Sequence, residues 1–282
     1  MKPYLLGQYE KSMPSNLSWI DKLTLNREFG FDYLEMSIDE TDEKLKRLEW
    51  TSHEIKSLRD DIFESRQNIN SICLSAHRKF PLGHLDKEMQ KKSLDIMEKA
   101  INIASDLGVR IIQLAGYDVY YEKSTSETEK IFEENLYKCV ELASTKGVIL
   151  GFETMETSFM DTVKKAMHYV NRINSPYLGV YPDIGNLKNA SLLYNHSVND
   201  DIKTGEGHIF AAHLKETIPN HYREIEFGRG HTEFRENVML LKEIGVRMFN
   251  GEFWYVGNEN WREVCVDAVK FLRNILDDVF KM

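Results

Sequence analysis

The chain has 282 residues, 42% of them hydrophobic and 29% charged, with 6 prolines and 16 glycines, a profile that excludes the compositions of disordered chains. Lys and Arg number 36 against 45 Asp and Glu, a formal charge of −9, so the chain lacks the broad cationic footprint that a nucleic-acid backbone demands. Cys73, Cys139 and Cys265 lie far apart with no CxxC pair, which argues against a disulfide framework or thiolate zinc site and suits a reducing compartment.

The N-terminus, MKPYLLGQYEKSMPS, has too short an apolar stretch for a signal peptide, and no run approaches the ~20 apolar residues of a membrane span. The expectation is a cytoplasmic protein with no membrane or nucleic-acid partner. Along the chain, short apolar runs alternate with longer amphipathic stretches. A first strand is expected over 4–9 (YLLGQY), then a helix over 18–29; a second strand over 33–37 (YLEMS) precedes Thr51-Ser52-His53-Glu54, a capping box that opens a helix to about residue 65. The acidic run Asp39 to Glu43 reads as a solvated helix start. Strands over 69–75 and 110–115 are followed by helices over 86–107 and 125–145, which stop at Gly108 and before Gly147. Strands over 148–153, 177–183, 208–214 and 247–253 alternate with helices over 162–173, 187–203, 233–244 and 260–280.

Eight strand–helix units at about 35 residues each match a single (β/α)8 barrel spanning 1–282 better than two domains. An open doubly wound sheet would want a glycine-rich phosphate loop after its first strand. That segment, QYEKSMPSN, contains neither GxGxxG nor GxxxxGK[ST].

In a barrel, chemistry sits where the strands end at their C-terminal face. Strand five ends in Glu153, strand six in Asp183, strand seven near His213 and strand eight at Glu252, at spacings of 30, 30 and 39 residues. Each spacing is about one unit, so four potential ligands fall on four consecutive strands at one mouth. Three carboxylates and an imidazole suit one borderline divalent ion, Mn²⁺ or Zn²⁺; without it the carboxylates would repel and at least one pKa would rise. His208 competes for the imidazole role but lies at the entrance of strand seven, at the far end. Substrate contacts are expected from the neighbouring positions His77, Arg78, Gln113, Glu156, Asn186 and Lys215. The loop Glu226-Phe227-Gly228-Arg229-Gly230 offers backbone N–H groups of the kind that hold phosphate in barrels.

The strings LGQYEKSMP, FDYLEMSIDETDEKLKRLEW, SICLSAHRKFPLG, IIQLAGYDVYY, YPDIGNL, HLKET and GEFW together resemble the L-ribulose-5-phosphate 3-epimerase family, also called L-xylulose-5-phosphate 3-epimerases, of the xylose-isomerase-like barrels. The resemblance covers nearly the whole chain. It implies a cytoplasmic sugar-phosphate epimerase of L-ascorbate or related pentose catabolism, a homo-oligomer such as a dimer, with the divalent metal held by Glu153, Asp183, His213 and Glu252. Glu156 stands where a related enzyme would carry Asp, and Arg223 and Arg229 lie in a loop that varies among relatives.

The implied chemistry inverts C3 of a ketopentose phosphate through an enediolate, with Glu153 and Glu252 as acid and base on the two faces and the ion stabilising the developing charge. Arg78 and Lys215 are the phosphate candidates; His77 and Asn186 would contact hydroxyls. Three alternatives stand beside this reading. An aldose–ketose isomerase would want a second metal and further ligands on the late strands, a phosphodiesterase a multi-zinc cluster on a cationic face. A non-catalytic sugar-phosphate-binding barrel would bind without exchanging protons.

Overall fold

A computed structural model of the chain describes residues 2–281. Its strands are β1 (Leu5–Tyr9), β2 (Tyr33–Ile38), β3 (Asn68–Leu74), β4 (Ile111–Ala115), β5 (Ile149–Glu153), β6 (Leu178–Val180), β7 (Ala212–Leu214) and β8 (Met248–Gly251). They lie parallel in one sheet of order β6-β5-β4-β3-β2-β1-β8-β7. Parallel bridges Val180–Ile209 and Asp183–His213 join the two outer edges, so the sheet closes on itself as the expected (β/α)8 barrel. Around it run α1 (Trp19–Phe29), α2 (Asp42–Leu45), α3 (Ser52–Ser65), α4 (Lys87–Leu107), α5 (Ser126–Lys146), α6 (Val163–Ile173), α7 (Ile184–Tyr194), α8 (Val198–Lys203), α9 (Phe234–Glu243) and α10 (Trp261–Lys281).

The local signals act as their chemistry dictates. Thr51 and Glu54 form the reciprocal capping box at α3, and Gly108 and Gly147 close α4 and α5 at φ 75° and 65°, in the left-handed region that costs glycine nothing. Three segments depart from expectation, among them strand seven, expected over 208–214 but confined to Ala212–Leu214. Strand six is only three residues long, because Pro182 has no N–H to give a ladder and Asp183 turns the chain as the N-cap of α7, its carboxylate accepting from the Asn186 N–H. The helix expected over 187–203 therefore begins at Ile184 and splits into α7 and α8.

Inside the barrel the floor is filled by side chains. A Cβ on Gly7 would stand 2.2 Å from the Tyr33 ring, whose hydroxyl donates to the Phe249 carbonyl at 2.8 Å. Gly7 thus yields the space that the buried tyrosine occupies.

The first loop at the mouth is tied down by charge. Glu10, just past β1, is buried, and its carboxylate accepts from Lys22 and Lys44 Nζ at 2.8 Å each, from Arg47 at 2.5 and 2.7 Å, and from the Ser37 N–H at 2.9 Å. Burial pushes the Glu10 carboxyl up, but Arg47 and the two lysines outweigh it and hold the group well below the usual range. Three buried cations share this carboxylate, and Lys44 also faces the exposed Glu43 at 3.8 Å. The run from Asp39 to Glu43 is accordingly no simple solvated start: Asp39 is buried, ion-pairs with Lys11 and accepts from the Thr41 N–H, and only from Asp42 does the chain turn helical.

Candidate active site

Glu153 ends β5, Asp183 caps α7 just past β6, His213 sits within β7, and Glu252 follows β8 by one residue. One ligand atom from each lies within 4.8 Å of the other three, and all four residues are buried. Among the described residues this is the one group of His, Cys, Asp or Glu side chains so arranged. His213 Nδ1 faces Glu252 Oε2 at 3.3 Å, Glu153 Oε1 at 3.8 Å and Asp183 Oδ2 at 3.9 Å. Lys215 Nζ stands 3.0 Å from Asp183 Oδ2 and 3.2 Å from Glu252 Oε2, yet neither oxygen accepts a directed hydrogen bond.

The electrostatics show what the cluster wants. Burial, then the Glu252 charge, pushes the Glu153 carboxyl up to about 8. Burial also raises Asp183, to about 7, against the pull of Lys215 and with the help of Glu252. Glu252 is held well below the usual range, since Lys215 and His213 overcome its burial. Three carboxylates at one buried point need either protons or a cation. Orphaned oxygens, a borderline imidazole and an oxygen-rich donor set fit a divalent ion.

Behind His213 stands a residue that sequence reasoning missed. Glu35 of β2 is wholly buried and its Oε1 lies 2.6 Å from His213 Nε2; the same carboxylate accepts from Asn250 at 2.9 Å, Ser71 at 2.6 Å and the Tyr181 hydroxyl at 3.0 Å. A proton held on Nε2 by this carboxylate leaves the Nδ1 lone pair facing the cluster. The available signal was an acid inside YLEMS, since a carboxylate in a strand that is otherwise uncharged and buried along its length demands partners.

Above the cluster opens a cavity whose lining includes Lys11, Ser75, Arg78, Glu156, Asn186 and Lys215. Asn186 donates to the Thr154 carbonyl at 2.8 Å and keeps its Oδ1 unpartnered. Glu156 accepts from Tyr120 at 3.1 Å, Tyr117 at 3.4 Å and Arg223 at 3.3 Å. Tyr9, Tyr222 and Trp254 complete walls that strand-end reasoning did not name.

Two expected substrate contacts lie elsewhere. His77 is buried beside α4, with Nε2 3.1 Å from the Ser93 carbonyl, and burial lowers its pKa to about 4. It stays neutral and turned from the cavity, because the turn Ala76–Arg78 sends adjacent side chains in different directions. Gln113 is also outside the lining: fully buried, its Nε2 lies 3.1 and 3.2 Å from the two ring nitrogens of His213. The glycine-rich loop is likewise engaged, as Gly228 and Thr232 N–H groups donate to Glu216 at 2.9 and 3.0 Å. His208 is exposed at the opposite end of β7's segment, as expected.

Residues 23–275 match the family described as xylose isomerase-like TIM barrel. A Haemophilus influenzae protein called putative L-ribulose-5-phosphate 3-epimerase SgbU is 43% identical over 279 residues, 96% of each chain. The chain belongs to the L-ribulose-5-phosphate 3-epimerase family of these barrels. The Escherichia coli L-ribulose-5-phosphate 3-epimerase UlaE is 42% identical over 85% of this chain and 83% of its own. Membership makes this chain an isomerase-class enzyme. The solved D-tagatose 3-epimerase-like protein and an L-ribulose 3-epimerase share the fold, each at 18% identity, with TM-scores of 0.80 and 0.77. They cover 98% and 99% of this chain, and 98% and 96% of their own.

Proposed function

We propose that the chain is a divalent-metal-dependent 3-epimerase that interconverts L-ribulose 5-phosphate and L-xylulose 5-phosphate, acting as one barrel domain in the cytoplasm, as a homo-oligomer. The observation that carries the reading is the convergence of Glu153, Asp183, His213 and Glu252 beneath an open cavity, in a chain whose relatives bear that activity in their names.

These four residues would hold the ion, Mn²⁺ or Zn²⁺. When bound, it supplies Lewis-acid stabilisation for negative charge that develops on substrate oxygens. The remaining work belongs to side chains. One of Glu153 and Glu252 takes the C3 proton while the C–H electron pair moves toward the C2 carbonyl; the other returns a proton to C3 from the opposite face. Nothing is oxidised or reduced overall. Lys215, buried against Asp183 and Glu252 and packed over Trp254 with Nζ 5.8 Å from the ring centroid, keeps a positive charge beside the reacting oxygens. Asn186 turns its free Oδ1 toward a substrate hydroxyl.

L-xylulose 5-phosphate incubated in D₂O with Mn²⁺ or Zn²⁺ should lose its C3 proton signal by NMR and yield L-ribulose 5-phosphate, whereas protein stripped by a chelator should do neither. An aldose product, or binding with no solvent exchange, would overturn the reading. A second expectation concerns Glu35. A carboxylate orienting a ligating histidine typically contributes 10–100-fold to metal affinity, so Glu35→Gln should weaken Mn²⁺ or Zn²⁺ binding to the metal-free protein by about that factor in a chelator competition. Unchanged affinity would remove Glu35 from the site.

A further inference from the structure

Directly beneath the four candidate ligands lies a second layer. In extended chain every second side chain returns to the same face, so the residues two before Glu153, Asp183, His213 and Glu252 belong together. They are Gly151, Tyr181, Ala211 and Asn250, all buried. Two of them are small, and the two polar ones both reach Glu35. The Tyr181 hydroxyl donates to Glu35 Oε2 at 3.0 Å, and Asn250 Nδ2 donates to Oε1 at 2.9 Å. Ser71 of β3 adds a second donor to Oε2 at 2.6 Å, while His213 Nε2 stands 2.6 Å from Oε1. One carboxylate thus joins the chain segments that carry Asp183, His213 and Glu252.

Tyr181 is the member of this layer with the most contacts to the site's frame. Its ring stands edge-on to the His213 imidazole, with centroids 5.0 Å apart and planes at 72°. Its backbone N–H donates to the Phe152 carbonyl of β5 at 2.7 Å. A Cβ on Gly151 would lie 3.1 Å from the Tyr181 Cβ, so the glycine two residues before Glu153 leaves the room in which the tyrosine sits. The two oxygens of Glu35 divide the work: Oε2 is pinned by Tyr181 and Ser71, and Oε1 is left to Asn250 and the histidine. In a site without water, such a fully satisfied carboxylate is fixed in direction.

Resting on the metal-dependent reading, we infer that Tyr181 is a positioning residue, which fixes Glu35, and through it the His213 ring, in the orientation that binds the divalent ion. It does not line the cavity, so it acts without touching substrate. Metal affinity is thereby set partly from the layer below the site.

The experiment measures the Mn²⁺ affinity of the chelator-stripped full-length protein, with free Mn²⁺ followed by electron paramagnetic resonance and no substrate present. Tyr181→Phe keeps the ring and removes the hydroxyl. It should weaken binding about 3- to 10-fold, less than the roughly 10–100-fold of a group that contacts the ligand directly. Glutamine at position 35 has a single acceptor oxygen and cannot serve His213 and Tyr181 at once, which breaks the link. Tyr181→Phe should therefore change affinity by less than about 2-fold in a Glu35→Gln background. Equal weakening in both backgrounds would assign Tyr181 to general packing and overturn the inference, as would unchanged affinity in the single variant. Should Glu35→Gln not fold, Ser71→Ala is the second probe. Weakened binding on removing that donor, from a strand that carries no ligand, supports the link through Glu35, and unchanged affinity overturns it. An unaltered protein that binds no Mn²⁺ overturns the metal reading itself, whereas intact binding indifferent to Tyr181 overturns this inference alone.

Discussion

Glu252→Gln, saturated with metal, is expected to turn over at least about 100-fold more slowly than the unaltered enzyme, because a positioned proton acceptor contributes roughly 10²–10⁴-fold and the amide cannot replace it. The substitution preserves volume in a buried pocket, so a general loss of packing does not explain such a defect. Metal content must be measured alongside turnover, since Glu252 Oε2 faces His213 and Lys215 and is itself a proposed ligand. Proton exchange sharpens the test. With Glu153 intact, the epimer whose C3 hydrogen faces Glu153 should still wash in deuterium, while the other epimer should not and net epimerisation should collapse. Near-normal turnover with metal bound would remove Glu252 from the chemistry, and equal loss of exchange from both epimers would reduce it to a ligand.

Glu10→Gln should lower the unfolding free energy by about 3–5 kcal/mol in denaturant titration, the range found when one partner of a buried charge cluster is removed. The cost arises because Lys22, Lys44 and Arg47 remain buried without the carboxylate that joins them, and the exposed Glu43, 3.8 Å from Lys44, compensates only weakly. The pH dependence has a definite sign. Glu10 is held well below the ordinary glutamate value, so its folded form binds a proton less readily than the unfolded chain does. Its stabilisation is therefore fully present above about pH 4.3, the ordinary glutamate value, and is lost as pH falls through the lowered folded value. The stability gap between the unaltered protein and Glu10→Gln should be widest near neutrality and should narrow in acid. A gap independent of pH would show that lost shape, not lost charge, is responsible.

The eight units were legible because each carries its own local signals: an apolar run, a capping residue such as Thr51, a terminating glycine such as Gly108. The four candidate ligands were legible for a related reason, since a barrel repeats one level of its mouth about once per unit and strand ends at 153, 183, 213 and 252 keep that interval. Side-chain direction was not. His77 and Arg78 are neighbours in the chain, yet one turns beneath α4 and the other lines the cavity. Lys215 reads as a loop cation suited to phosphate, but it is buried between two carboxylates of the cluster.

By itself, then, the sequence determined the barrel and the level at which chemistry gathers, because hydrophobic period, caps and unit spacing are properties of consecutive residues. Only the tertiary structure decided which charges meet. Glu35 and His213 are 178 positions apart and touch at 2.6 Å, and Glu10 gathers cations from two separate segments, Lys22 on α1 and Lys44 with Arg47 after β2. No local pattern encodes such contacts. They follow from barrel closure, which brings β2 and β7 to the same interior and removes the water that would otherwise leave each charge indifferent to its neighbours.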